Sequence, residues 1–250
     1  MGPIDIVITM AGLGLRFREA GYNVPKYMIE VKGKTLFEWS MDSLRDVLKD
    51  AGSCIFVALK DNEVDVDDFI RTKCKSMGIN SYSLVLLDEV TDGQATTAMS
   101  VSDMWDDNHS LLIYNIDTYV EPGEIIPEDF RGDGFIPCFK ALGDHWSFVR
   151  LDESGRAVEI KEKKRISDNC TIGAYYFRTC KLFKHLYETY YENKVESKTE
   201  KYVAPLYNHL LEEGGDVFIS DIESSKVHVL GTPAELKEFQ NENNGMIERW

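Results

Sequence analysis

Four short runs rich in β-branched and aliphatic residues, Ile4–Met10, Cys54–Leu59, Ser83–Leu87 and Ser110–Tyr114, alternate with stretches of helical spacing through the first 120 residues. This alternation narrows the fold more than any other feature. Strands joined by helix-length crossovers lie parallel, and a parallel sheet needs helices on its faces. The first crossover carries its own start signal. Thr35-Leu36-Phe37-Glu38 has the form of a capping box, and Leu36, Trp39, Leu44 and Leu48 then follow the helical period, which predicts a helix over 36–49. Further helices are expected over 65–76 and 95–105. The expected class is α/β, with a Rossmann-like, mostly parallel sheet covered by helices.

Beyond residue 120 the rhythm changes. Gly134–Lys140, Trp146–Leu151 and Val158–Lys161 read as strands, with Asp152-Glu153-Ser154-Gly155 as the turn between the last two. A strand at Gly173–Phe177, helices over 180–192 and 200–213, one or two strands between Val217 and Leu230, and a last helix capped by Thr232-Pro233 complete the expectation. With no repeat, low-complexity tract or Pro/Ser-rich linker, residues 1–250 are expected to form one domain with two functional halves, 1–120 and 121–250. A chain of 250 residues buries a sizeable core without a metal or disulfide staple. Its five cysteines are scattered and include no CxxC pair, which points to a reducing cytoplasm. The start, MGPIDIVITM, has no basic leader and carries Asp5 in a short apolar run, and Ile6 breaks the myristoylation pattern, so neither export nor a membrane anchor is expected.

The formal net charge of −15 excludes a nucleic-acid partner held by general attraction to phosphate. Any polyanion must be held by a few placed cations. Such cations stand next to bare backbone: "ITMAGLGLRF" ends a strand in Gly12 and Gly14, with Arg16 two residues on and Lys26 after Pro25. Amides of a glycine turn leaving a strand wrap phosphate oxygens, because without Cβ atoms the chain approaches closely and reaches φ > 0. The third position of a GxGxxG dinucleotide loop is Phe17 here, and no GKS or GKT of a Walker loop follows. A turn with two cations suits a triphosphate, whose chemistry is largely positioning and charge stabilisation.

With these segments the chain resembles the sugar nucleotidyltransferases and their cytidylyltransferase relatives. The resemblance runs through "AGLGLRF", "VPKYMIEVKGKTLFEWSMDSL", "TDGQATTA", "NIDTYV", "IKEKKRISDNCTIGAYYF", "KYVAPLYNHLLEEG" and "GTPAELKEF", in that order. In wording it is most similar to capsule-pathway enzymes of the CTP:phosphoglutamine cytidylyltransferase type. It implies a GT-A-like nucleotidyltransferase fold with a mixed acceptor-side extension, residues 1–120 holding nucleotide and 121–250 the acceptor. Gly12, Gly14, Arg16 and Lys26 would hold the triphosphate, and Ala11, Gly93 and Gln94 the base. Asp117 would bind Mg2+, and Glu162, Lys163, Asn169, Gly173 and Tyr175 would meet a phosphorylated small acceptor. Trp146, Tyr176, Lys198 and Tyr202 suit a sugar or an amide equally.

Two departures stand out. The family places a second metal aspartate two residues before the closing Gly-Thr, where this chain has Val229; Asp221 or Glu223 is the expected substitute, or Asp117 acts with phosphate oxygens alone. Leu15 stands where the family uses a small hydroxyl residue. The favoured activity is transfer of a cytidylyl group from CTP with release of pyrophosphate. Guanylyl, uridylyl or thymidylyl transfer to a sugar 1-phosphate is the alternative, and a silent nucleotide-binding regulatory module is the alternative of another class.

Overall fold

The computed structural model describes residues 2–49, 51–192 and 200–242. Ile4–Met10 forms strand β1 inside a ten-stranded sheet, and its side chains alternate between two layers, with Ile4, Ile6, Ile8 and Met10 on one face and Val7 on the other. Its one carboxylate, Asp5, is buried but accepts hydrogen bonds from Ser53 Oγ and the Asp106 amide, each at 2.9 Å. A short helix α1 (Leu15–Glu19) and a small hairpin of β2 (Glu30–Val31) and β3 (Lys34–Thr35) follow.

The expected helix over 36–49 is two, α2 (Leu36–Ser43) and α3 (Arg45–Lys49). At the break Leu44 donates to Met41, three residues back, and Ser43 Oγ accepts the Val120 amide at 2.9 Å. That long-range bond was invisible to local spacing. The capping box is closed: Glu38 N reaches Thr35 Oγ1 at 3.3 Å and Glu38 Oε2 accepts Thr35 N at 2.8 Å.

Next come β4 (Ala51–Leu59), α4 (Val66–Ser76), β5 (Ser83–Leu87), α5 (Gln94–Met99), β6 (Ser110–Asn115) and β7 (Thr118–Val120). Helix α5 stops well short of the expected 105. Three-residue turns, Ser102 N to Met99 O and Met104 N to Val101 O, draw Val101 and Trp105 into the core. The remaining strands are β8 (Gly134–Lys140), β9 (Ser147–Leu151), β10 (Ala157–Glu162), β11 (Asn169–Thr171), β12 (Ala174–Phe177), β13 (Val217–Ile222) and β14 (Val227–Val229). Helices α6 (Cys180–Tyr187), α7 (Ala204–Glu212) and α8 (Pro233–Asn241) complete the chain; α6 ends in a wider turn over Glu188–Glu192, and α7 starts later than expected, with proline in its first turn.

The first half of the sheet is parallel in the order β5-β4-β1-β6. From β1 the chain steps outward through β4 to β5, then returns to the other side of β1 as β6. A crevice opens at the carboxyl ends of strands where the order reverses in this way. Beyond β6 the sheet is mixed. β12 lies antiparallel between β6 and β8, β13 runs parallel to β8, and β11, β9 and β10 extend the edge. The fold is thus the expected α/β sheet, with a mixed extension contributed by the second half.

Helices α2 and α4 cover one face around Phe37, Met41 and Ile70, and α5, α6 and α7 cover the other around Ala98, Phe183 and Leu206. A third cluster, Phe17, Trp39, Leu230, Leu236 and Phe239, ties α8 to α1 and α2. All five cysteines are buried and unbonded, three in the first layer and two in the second. Among the described residues no helix is long and apolar enough to cross a membrane.

Candidate active site

The crevice between β1 and β6 gathers segments distant in sequence. The register Thr9 opposite Asn115 sets the end of β1 beside the end of β6, so the glycine turn that leaves β1 faces Asp117. Gly14 takes the left-handed conformation, φ 63°, at the start of α1, as a phosphate-wrapping turn requires. Gly12 has open space where a side chain would stand, and Leu15 is exposed. Arg16 is exposed, its side chain in no described hydrogen bond or ion pair, and lines a cavity of about 450 Å3. Lys26 Nζ lies 2.7 Å from Asp117 Oδ2, both side chains mostly shielded from solvent.

Gln94 opens α5 and also lines this cavity, its Nε2 donating to Thr9 Oγ1 at 3.1 Å. Gly93, at φ 150°, is packed against backbone. A Cβ there would stand 2.3 Å from the Lys201 carbonyl, and two backbone bonds pair the segments, Ala95 N to Lys201 O at 3.0 Å and Lys201 N to Asp92 O at 2.7 Å.

The second half reaches the cavity because β12 runs antiparallel to β6. The start of β12 lies at the end of β6, where Gly173 O accepts the Asn115 amide at 3.2 Å; Tyr175, Ser147, Thr171 and Glu162 line the wall beyond. Glu162 accepts from Ser147 Oγ, and burial raises its carboxyl above the ordinary range, opposed by that bond and by Lys163. Lys163 turns to the Tyr202 hydroxyl instead, which holds its ammonium pKa above the usual value. Tyr202 and Trp146 line the cavity, while Tyr176 lies in the core with Ser110 as hydroxyl partner. Lys198 lies outside the described residues.

Two further expected residues are not brought to this place. Asn169 is buried between Lys140 and the Val149 carbonyl, as a brace between strands. Asp221 lies on β13, 3.6 Å from Lys140 Nζ, and does not line the cavity, so its position does not support the role of a second metal carboxylate. Glu223 precedes a short turn whose Ser225 hydroxyl it accepts. Val229 does line the cavity, opposite Thr118, and offers no donor.

Among the lining residues that the sequence did not point to, three stand out. His145 lines the cavity, its ring 4.2 Å from that of Trp146. Asn115 Oδ1 and Glu235 Oε2 are buried with no described hydrogen-bond partner, and both residues line this cavity. Buried oxygens of this kind are rare in folded proteins and are completed by a water or a ligand. Glu235 carried one signal, the spacing Thr232-Pro233-Ala234-Glu235, which reads as an ordinary capping box. A larger cavity of about 560 Å3, lined by Lys34, Asp42, Arg45 and the start of β4, lies at the opposite end of the parallel strands and contains none of the residues expected at the site.

A parallel sheet with a cation-flanked glycine turn at its switch point defines the class of α/β nucleotide-binding proteins. No family model matches the chain. The nucleoside-diphosphate-sugar pyrophosphorylase of Vibrio cholerae RC9 has the same fold, with a TM-score of 0.85 and 31% identity over 95% of this chain and all of that one. The chain therefore belongs to the sugar nucleotidyltransferase family. The inositol-1-phosphate CTP transferase of T. maritima shares the fold at a TM-score of 0.74 and 16% identity, over 100% of this chain and 99% of that one. In sequence the chain is 23% identical to the bifunctional protein GlmU of Methanocaldococcus jannaschii over 84% of its own length and 47% of that protein, so it spans about half of that relative.

Proposed function

We propose that the chain transfers a cytidylyl group from CTP to a phosphorylated small acceptor, releasing pyrophosphate. The observation that carries this reading is the convergence of the glycine turn, Arg16 and the Lys26–Asp117 pair at the switch point. A nucleoside triphosphate seated there meets amides and two cations on the first half, and the acceptor meets the hydroxyl- and aromatic-rich wall of the second. The two halves, 1–120 and 121–250, then divide nucleotide from acceptor.

In the step itself, an acceptor phosphate oxygen forms a bond to the α-phosphorus while the bond to the bridging β-phosphate oxygen breaks, and its electron pair leaves with pyrophosphate. The acceptor is anionic near neutral pH, since a second phosphate ionisation lies near ~6, so no general base is required. Lys26 neutralises charge gathering on the α-phosphate, and Arg16 holds the departing pyrophosphate. The donors present suit a hard divalent cation such as Mg2+: a carboxylate oxygen of Asp117 and an orphaned oxygen of Glu235, both near the bare Cα of Gly231. Asp117 would hold the ion with phosphate oxygens, and the ion would supply charge neutralisation at the reacting phosphates. The choice of CTP and of a phosphoglutamine-type acceptor in capsule assembly, in a reducing cytoplasm, rests on the sequence resemblance. Pyrophosphate release measured with four triphosphates and a panel of phosphorylated acceptors tests it. Fastest release with CTP is expected, and faster release with UTP, GTP or dTTP for every acceptor refutes the cytidylyl assignment.

A further inference from the structure

The pattern Thr-x-x-Glu opens two helices, and only one closes its capping box. At α2 both arms are made, and Glu38 Oε2 also meets Lys73 Nζ at 2.8 Å. At α8 only the first arm exists. Thr232 Oγ1 accepts the Glu235 amide at 3.2 Å, but the Glu235 carboxylate does not return to the Thr232 amide. Instead its Oε2 is hidden from solvent with no described hydrogen-bond partner, and no described cation pairs with Glu235. Such a site would be costly for a carboxylate that had only a structural task, since the capping bond was within its reach.

The direction of the side chain supplies the reason. A Cβ placed on Gly231 would lie 3.6 Å from Glu235 Oε2 and 3.3 Å from Asp117 Oδ2. Gly231 does not have the positive φ that demands glycine, so what its bareness provides is room beside two carboxylate oxygens. Both elements are anchored. The Leu230 amide donates to the Asp117 carbonyl at 2.8 Å, and Leu236 and Phe239 pack α8 onto Phe17 and Trp39. The two carboxylate oxygens thus converge on one place beside Gly231, where Asp117 Oδ2 is shared with Lys26 Nζ and Glu235 Oε2 has no described partner, an oxygen set that suits a hard cation.

We infer that Glu235, from the first turn of α8, is the second protein ligand of the divalent cation, in place of the aspartate that Val229 does not supply. This rests on the nucleotidyl-transfer reading above, and a direct metal-binding experiment separates the two. Mn2+ binding to the full chain in the presence of CTP, followed by the electron paramagnetic resonance of free Mn2+, is expected to weaken at least ~10-fold in Glu235→Gln, no less than the loss of an outer-shell partner produces. It should weaken likewise in Asp117→Asn. Placing Val229→Asp on the Glu235→Gln background should bring the affinity back toward the native value. Glu235→Asp, which keeps the charge and draws the oxygen back from Gly231, gives a second measure should the glutamine variant fold poorly; it too should bind Mn2+ more weakly. Native affinity in both Glu235 variants with weakened binding in Asp117→Asn overturns the role of Glu235 and leaves nucleotidyl transfer standing. Native affinity in all three removes both carboxylates from the metal, and nucleotidyl transfer then stands or falls by pyrophosphate release alone.

Discussion

Replacing Gly93 by alanine tests how the start of α5 is held. The backbone there has φ 150° and ψ 172°, a region that only glycine occupies freely, so a Cβ costs about 1–3 kcal/mol in backbone strain alone. That Cβ would also stand 2.3 Å from the Lys201 carbonyl oxygen and 2.5 Å from its nitrogen, and neither is a flexible side-chain end that can swing away. The strand-like pairing of 92–95 with 201 must open, losing two backbone hydrogen bonds at ~1 kcal/mol each. The combined cost is about 3–5 kcal/mol, which for a chain of this size lowers Tm by roughly 6–20 °C. Gln94 moves with the same turn, so CTP affinity should fall as well. Thermal unfolding followed by circular dichroism, with calorimetric titration of CTP, reads both effects. A melt within about 2 °C of the native chain together with unchanged CTP affinity would refute the close packing of Gly93 against Lys201.

Three further outcomes are expected. Asp117→Asn should reduce turnover by at least ~100-fold, as loss of one transition-state electrostatic contact does, and near-native pyrophosphate release would remove Asp117 from the site. Lys26→Ala should lower kcat more than it raises the nucleotide KM, whereas a pure KM effect would make Lys26 a ground-state tether. Glu162, with its carboxyl pKa raised by burial, binds a proton more tightly folded than unfolded; the stability this gives is complete below the ordinary glutamate range and is lost as pH rises through the raised value. Urea midpoints of Glu162→Gln should therefore gain on the native chain from pH 4 to pH 8, and a constant difference across that range argues against the buried carboxyl.

What the sequence revealed was what local chemistry encodes. The alternation around β1, the closed capping box of Thr35 and Glu38, the Asp152–Gly155 turn and the Thr232 cap each depend on a few neighbouring residues, and each appears where expected. The break at Leu44 and the early end of α5 depend on Val120 and on the core around Trp105, partners far along the chain. The same division runs through the site. Gly14, Arg16, Lys26 and Asp117 follow one strand end or its neighbour, so their convergence was legible once the sheet was. Asn169 and Asp221 were misplaced because Lys140, which meets both, lies on a strand whose neighbours only the sheet order reveals. Glu235 was hidden by its resemblance to an ordinary cap.

The distribution of the thiols makes the sheet its own strain gauge. Cys54, Cys74 and Cys170 sit behind one face and Cys138 and Cys180 behind the other, and burial pushes every one of them up, Cys74 to about 12. Thiolate is what reacts, so in the closed protein none is a nucleophile near neutral pH. A disulfide reagent then counts openings: release of two equivalents, Cys54 on β4 and Cys74 on α4, ahead of the other three reports α4 lifting alone, and five together report cooperative loss of the whole sheet. Opening of the nucleotide crevice by itself should release none.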